Sequence, residues 1–426
     1  LKFVTKILDK IKQSDFIKNV ATLATGTTLA QSISIFTAPV LYRIYSKVDY
    51  GTLGLYMAII GVIGVFSTMQ YTQPILLEKE DDNAKTVMWL NHIINTGLTI
   101  LVFLIVLGLG RFIGTFLNNE AIRPWLYLAP ISIFFNGQNE IFRVWANRKK
   151  KYKIMSFNAI LSAILVPITS ISIGLLHKGP LGLFLGLLIS QIIPPIVMLI
   201  VITKNEDLGF KYFNWNLIKI KAKEYSNFPL YTLPSEFINR FTNQLPVFML
   251  STYSGPATVG VYNLCVRMLG LPIQLIGSAV GEVFKQKATL DFNTQGRFDS
   301  IFLKTLKILI ITSIPPLLFI LFFAPKIFGF IFGAKWIESG VFAQILILMY
   351  MLKLITSPLS YSYIIRNRLK EDMYWHLYML GSMSLVFFWG FKLTDNYKLI
   401  LFIFMLNYSF VYLIYLIRSY LFSNGK

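Results

Sequence analysis

Glu236, Asn239, Arg240 and Asn243 fall at i, i+3, i+4 and i+7, so a helix through them gathers an acid, two amides and a guanidinium on one face. Arg267, Gln274, Ser278 and Glu282 make a second stripe, and Lys353, Ser357, Ser360 and Tyr361 a third. Asn136, Asn139, Glu140 and Arg143 cluster in one stretch, and Asn91, Asn95 and Thr99 in another. Each group interrupts an otherwise apolar run. In a bilayer, an ionisable side chain so placed costs about 2.5–3.5 kcal/mol and is retained where it faces a hydrated cavity or an opposite charge. Glu236 with Arg240, and Glu140 with Arg143, have the spacing to pair within one helix. Arg267 and Lys353 have no obvious partner on their own helices, which favours an anionic ligand. The predicted arrangement is a polar cleft with surplus positive charge in the second half of the chain. Its substrate-contacting residues are Arg240, Arg267, Lys353, Glu236, Asn239, Asn243, Gln274, Asn139 and Arg143, and Glu236 and Glu282 are the candidates for binding a coupling ion.

Such a cleft binds; nothing in the pattern points to bond-breaking chemistry. His92, His177 and His376 stand far apart and show no metal-ligand spacing with carboxylates. No Walker-type phosphate loop occurs, so ATP hydrolysis by this chain is not expected. Cys265 is the single cysteine and lies in an apolar run, which excludes an internal disulfide and a cysteine metal site. No cofactor is expected.

The elements that must hold these residues follow from composition. Of the 426 residues, 55% are hydrophobic and only 14% charged, against roughly a quarter charged in an ordinary soluble domain. The formal charge of +20 would suggest nucleic acid in a soluble protein, but in a membrane protein it reflects basic residues collecting on the cytoplasmic side. A span needs about 20 mostly apolar residues. Twelve such runs are read near 18–43, 51–77, 86–109, 122–145, 154–176, 180–203, 226–252, 257–284, 304–325, 340–365, 373–391 and 399–417. With the N-terminus inside, 27 Lys and Arg fall in cytoplasmic segments, 9 in outside loops and 4 within spans. Both termini are therefore expected in the cytoplasm. The basic opening, with Phe3, Val4, Ile7, Leu8 and Ile11 on one face, reads as a helix lying on the membrane surface, and no signal-peptide cleavage pattern follows it.

The fold class expected is an all-α polytopic membrane protein: an interfacial amphipathic helix at 1–17, a six-helix bundle at 18–203, a cytoplasmic linker at 204–225 and a second six-helix bundle at 226–426. Two short matches suggest that the halves are repeats. Asp49-Tyr50-Gly51-Thr52-Leu53 opens span two and Thr258-Val259-Gly260-Val261-Tyr262 opens span eight, 209 residues later. Asn147-Arg148-Lys149-Lys150 follows span four and Asn367-Arg368-Leu369-Lys370 follows span ten, 220 residues later. Six spans per half give parallel halves, related by a pseudo-two-fold axis along the membrane normal. Pro39 and Pro246 precede the paired glycines by 12 and 14 residues, where a bend would suit a gate.

From Phe228 the chain reads FPLYTLPSEFINRFTNQLPVF, and from Ala257 ATVGVYNLCVRMLGLPIQLIGSAVGEVFKQKA. This region resembles the seventh and eighth helices of bacterial oligosaccharide flippases (Wzx-like) of the multidrug, oligosaccharidyl-lipid and polysaccharide exporter superfamily. The segment Tyr45-Ser46-Lys47-Val48-Asp49-Tyr50-Gly51 resembles that family's first outside loop, and Trp145 to Tyr152 its basic loop after span four. The resemblance implies alternating access between two bundles. It also implies passage of an undecaprenyl-pyrophosphate-linked oligosaccharide, as for an O-antigen, from the cytoplasmic to the outer leaflet of the bacterial inner membrane. The partners it implies are the lipid-linked oligosaccharide, membrane lipids, a polysaccharide polymerase and chain-length regulator, and a coupling cation, H⁺ or Na⁺. Within the same superfamily the alternatives are a cation-coupled drug antiporter and a lipid II flippase. The antiporters commonly use a carboxylate in the first helix, where span one here offers Gln31 and hydroxyls. A membrane polymerase or glycosyltransferase would need large outside loops with clustered Arg or carboxylates, and these are not seen.

Overall fold

The computed structural model describes residues 15–204 and 206–424, apart from the side chains of residues 15–21, Gln274, Leu275, Ser278 and Leu369. Most of the surface helix expected at 1–17 lies outside the described residues, and Asp15 already opens the first membrane helix. The described chain is helical nearly throughout and forms two compact units.

The first unit comprises residues up to Asp49 together with Tyr56–Phe237. Its helices are α1 (Asp15–Ile44), α2 (Lys47–Ile63, whose residues Tyr50–Leu55 belong to the second unit), α3 (Pro74–Leu77), α4 (Asp81–Phe116), α5 (Arg123–Leu126), α6 (Ala129–Arg148), α7 (Tyr152–Leu176), α8 (Leu181–Thr203) and α9 (Trp215–Glu224). The second comprises Tyr50–Leu55 and Ile238–Lys426. Beyond α10 (Leu233–Pro272), which starts at the end of the first unit, it holds α11 (Ser278–Gln295), α12 (Asp299–Phe332), α13 (Ile337–Leu359), α14 (Tyr361–Ile365), α15 (Leu369–Leu393) and α16 (Tyr397–Ser423).

Seven helical stretches among the described residues are long and apolar enough to cross a membrane: Lys47–Ser67, Asp81–Phe116, Tyr152–Leu176, Leu181–Thr203, Asp299–Phe332, Ala334–Ile365 and Tyr397–Ser423. Helices also occupy the other five expected spans. Their polar residues dilute the apolar run: Thr27, Thr28, Gln31 and Ser32 in α1, and Asn136, Gln138, Asn139, Glu140 and Arg143 in α6. Leu104 and Phe112 on α4, and Phe319, Phe322 and Phe323 on α12, are exposed, as side chains facing lipid must be. The chain is a multi-pass membrane protein.

Local chemistry sets the breaks. Ser46 and Asp49 form a capping box at the start of α2: the Asp49 backbone N–H donates to Ser46 Oγ at 3.1 Å, and the Ser46 N–H to Asp49 Oδ2 at 2.9 Å. In α10 the backbone leaves helical geometry at Gly255, where φ is 78°, and Pro256 opens the next stretch. Ser46 and Gly255 are 209 residues apart, the offset expected for the repeat. The second offset needs correction. Lys150 and Asn367 both adopt positive φ, and each is followed by a backbone bond reaching five residues back, Lys151 to Ala146 and Arg368 to Tyr363. These turns match at an offset of 217, not 220, so the shared Asn-Arg text is out of register with the shared geometry. The chain stays helical through Pro39 and Pro246.

Polar side chains hold the helices at close range. Asn91 is fully buried and donates to Tyr71 O at 2.9 Å and Val87 O at 2.8 Å; Asn95 donates to Phe134 O at 2.8 Å. They do not line a cleft, as the sequence suggested; they tie α4 to its neighbours, which is the alternative use of a polar residue in a membrane helix. Arg148 bonds the carbonyls of Ile75 and Glu78 at 2.9 and 2.6 Å and pairs with Asp81 at 3.0 Å. In the second unit Arg366 likewise bonds Phe422 O at 2.7 Å and Gly296 O at 3.1 Å.

Within the second unit, a Cβ built on Gly51 would lie 1.7 Å from the Pro256 carbonyl oxygen, and one on Gly54 would lie 1.7 Å from Asn263 Nδ2. Gly61, two turns on, meets nothing within 4 Å. Gly51→Ala is therefore expected to destabilise by about 1–3 kcal/mol through overpacking, with Gly61→Ala near neutral. Thermal unfolding of the two purified variants checks this, and equal midpoints would contradict the close approach.

Cys265 is fully buried, and Asn118, Lys150 and Gln295 stand exposed at helix ends. In a Cys265→Ser background, cysteines at Lys150 and Gln295 are expected to resist an impermeant thiol reagent in intact cells. Cysteines at Asn118 and Ser254 are expected to react. Labelling of Lys150→Cys from outside would reverse the orientation.

Candidate functional site

Four helices of the second unit line a cavity of about 280 Å³. Asn239 from α10 reaches it; α13 supplies Lys353, Thr356 and Ser357, with Ser360 at its C-cap; α15 supplies Asp372, Trp375, His376 and Met379; α16 supplies Tyr412 and Tyr415. The positions on α13 and on α15 both run i, i+3, i+4, i+7, so each helix turns one continuous face to the space. Each of the four helices contributes polar groups to the lining, while the surroundings are an apolar bundle.

Lys353 is half-buried and its Nζ donates to Asn243 Oδ1 at a long 3.4 Å. Asn243 Nδ2 in turn donates to Asn239 Oδ1 at 2.9 Å. The ammonium stands 6.0 Å from the centre of the Tyr408 ring. No carboxylate pairs with it among the described residues. Asp372 on the same cavity is bound otherwise: Tyr415 OH donates to its Oδ1 at 2.7 Å, and His376 Nε2 lies 3.7 Å from its Oδ2. The opposite ring nitrogen, His376 Nδ1, is buried and unpaired. Stacked rings stiffen this wall, Tyr363 on Tyr415 and Tyr408 on Tyr412, each pair at 4.5 Å. Thr356 and Ser360 donate to carbonyls of their own helix, which leaves their hydroxyl lone pairs to the cavity.

Of the predicted contact residues, Asn239 and Lys353 line the cavity and Asn243 touches it through Lys353. Arg240 and Arg267 are exposed side chains on the two stretches of α10 and are not part of its wall. Gln274 sits in a short π-helical turn, with its side chain outside the described residues. Glu282 accepts from Tyr361 OH at 3.4 Å, and Lys285 lies over the same ring, so this carboxylate belongs to a separate cluster. Glu236 is half-buried on the first turns of α10. In the first unit Asn139 accepts from Asn158 Nδ2 at 2.7 Å, and Arg143 grips Glu140 with two bonds of 2.8 and 2.9 Å. The Glu140–Arg143 pair expected from the spacing is thus formed. Sequence reasoning missed the acidic and aromatic wall, Asp372, Trp375, His376, Tyr412 and Tyr415. Its signal was the i, i+4 step from Asp372 to His376 at the head of a span.

The family model of polysaccharide biosynthesis proteins matches residues 40–341, most of the chain. The chain belongs to this family. Among curated relatives of this polysaccharide biosynthesis protein, the succinoglycan biosynthesis transport protein ExoT of Rhizobium meliloti (strain 1021) is 21% identical over 323 residues, covering 75% of this chain and 63% of its own. The teichuronic acid biosynthesis protein TuaB of Bacillus subtilis (strain 168) is 22% identical over 158 residues, covering 36% and 32%. The chain thus spans less than two thirds of the length of both. Among solved structures it is similar to the lipid II flippase MurJ in an inward closed conformation, with TM-score 0.74, 17% identity, and coverage of 94% of this chain and 90% of that one. An inward-facing multidrug resistance MATE transporter of the MOP superfamily gives TM-score 0.70 at 15% identity, covering 94% and 99%. Identities this low establish the fold alone, and it is of the all-α polytopic class expected from the sequence.

Proposed function

We propose that this polysaccharide biosynthesis protein is a flippase. It carries an undecaprenyl-pyrophosphate-linked oligosaccharide from the cytoplasmic to the outer leaflet of the bacterial plasma membrane by alternating access, with both termini in the cytoplasm. The observation that carries the reading is Lys353: a half-buried ammonium on a polar cavity inside an apolar bundle, with no carboxylate paired to it among the described residues. A cation so placed is costly unless an anion meets it, and a pyrophosphate or an acidic sugar is such an anion. The similarity to ExoT, a succinoglycan biosynthesis transport protein, and to MurJ, a lipid II flippase, supports the same reading.

Arg240 and Arg267 would draw the anionic head into the protein, and the donors and acceptors around Lys353 would hold it. Arg143 and Asn139 would line the path on the first unit. Glu236 and Glu282 are the residues to which a coupling H⁺ or Na⁺ would bind. A polymerase and a chain-length regulator would take the product at the outer face.

The test is reconstitution. Vesicles holding the protein and a pyrophosphate-linked undecaprenyl saccharide should expose that lipid to an impermeant sugar-modifying enzyme at least about tenfold faster than empty vesicles, a gain of only about 1.4 kcal/mol in barrier. Equal rates would remove the proposal.

A further inference from the structure

The connection between α8 and α10, which contains α9, is built as a surface element. Asn214 caps α9 by accepting from the N–H groups of Asn216 and Leu217 at 3.0 and 3.1 Å. One face of α9 is spent on the first unit: Ile218 packs with Leu90 and Tyr71, and Tyr71 OH donates to Ala222 O at 2.9 Å. Lys221 pairs with Glu78 at 2.6 Å and Glu224 at 3.0 Å. Burial works against its ammonium, but the two carboxylates outweigh that and raise its pKa above the ordinary value. Upstream, Lys85 donates to Tyr212 OH at 2.8 Å, and Trp89 packs on Phe210 and Phe213.

These contacts fix the depth of α9. Asp81, Asp82 and Lys85 mark the polar end of α4, while Leu90, Ile93 and Ile94, which pack toward α9, belong to its apolar run. The helix therefore lies where the apolar span begins, at the level of lipid headgroups.

Its outer face and the turn before it are unlike a solvated loop. Trp215 and Ile220 on α9 are 51% and 60% exposed, and Phe210 in the preceding turn 79%. Lys219 and Lys223 stand exposed one turn apart, and neither pairs with a carboxylate among the described residues. Two ammonium groups at i, i+4 repel unless an anion lies between them. Aromatic side chains beside lysines at this depth match the chemistry of an anionic headgroup above acyl chains.

We propose that α9 rests on the cytoplasmic leaflet and binds anionic phospholipid headgroups through Lys219 and Lys223, with Trp215, Ile220 and Phe210 inserted beside them. The leaflet named rests on the orientation proposed above. A bimane label on Asn216→Cys, in a Cys265→Ser background, tests it in nanodiscs. Phosphatidylglycerol with brominated chains is expected to quench the label at least about twofold more than brominated phosphatidylcholine at the same mole fraction. Lys219→Gln with Lys223→Gln should erase that excess and keep quenching by both lipids. Equal quenching by both lipids in the parent protein overturns the headgroup site. No quenching by either, with the label open to iodide or covered only when soluble proteins are added, overturns the membrane contact. Impermeant maleimide on the same cysteine, applied to cells and to inverted vesicles, reads orientation separately. Labelling from outside with the lipid preference intact would move the site to the other leaflet without removing it.

Discussion

Lys353→Gln is expected to lower polysaccharide at the cell surface by about ten- to a hundredfold while the protein's abundance in the membrane stays near normal. A hydrogen bond between an ammonium and an anion contributes about 1.5–3 kcal/mol, and each 1.4 kcal/mol is about tenfold. The magnitude is large because Lys353 has a weak partner to fall back on, Asn243 at 3.4 Å. Lys353→Arg keeps the charge and should retain part of the activity. Arg240→Gln and Arg267→Gln are expected to give smaller losses, since both side chains are exposed and screened by water. If Lys353→Gln instead removes the protein from the membrane, the ammonium holds helices together and does not meet a substrate. Immunoblotting of membranes beside surface polysaccharide staining separates these outcomes. The Glu236→Gln, Arg240→Gln double variant adds a check on α10: recovery relative to Arg240→Gln alone would mark the two as a structural pair.

The sequence spoke most clearly where one residue type has one use. The Ser46 and Asp49 capping box and the Gly255-Pro256 break lie where the spans were divided, because few residues other than glycine tolerate φ of 78° and proline suits a helix start. It was ambiguous where one residue type has two uses. Asn91 and Asn95 have the spacing of a cleft face, but backbone carbonyls of Tyr71 and Phe134 come within 2.9 and 2.8 Å of them, and that depends on packing far along the chain. Gly137 is part of the reason: a Cβ there would fall 2.4 Å from Asn95. The wall of the cavity was hidden by a boundary error. With the span read from residue 373, Asp372 falls outside it, and His376 is weighed only for metal-ligand spacing. Once α15 begins at Leu369 the two share a face with Trp375, and Tyr415 reaches Asp372 from the next helix.

Flipping by the reconstituted protein is expected to speed up under an inside-negative potential with no nucleotide present. A pyrophosphate carries about two negative charges, and moving charge through the membrane field is worth about 2.3 kcal/mol per charge per 100 mV. Outward passage is therefore assisted by about 4.6 kcal/mol per 100 mV if both charges cross the whole field alone. The protein reduces this figure in a definite way. Where the Lys353 ammonium travels part of the field with the head, one of the two charges is cancelled over that part. Lys353→Gln should then lower the rate and steepen its dependence on voltage, a combination that a merely structural residue would not produce. A cation held by Glu236 or Glu282 and carried inward would add its own charge to the drive, and the rate would then follow the cation gradient at zero potential as well. Vesicles of known orientation, clamped with potassium and valinomycin and scored for exposed lipid-linked sugar, distinguish the cases. Rates indifferent to both potential and cation gradient would leave exchange driven by concentration alone, with the outward pull coming from consumption of the sugar at the far face.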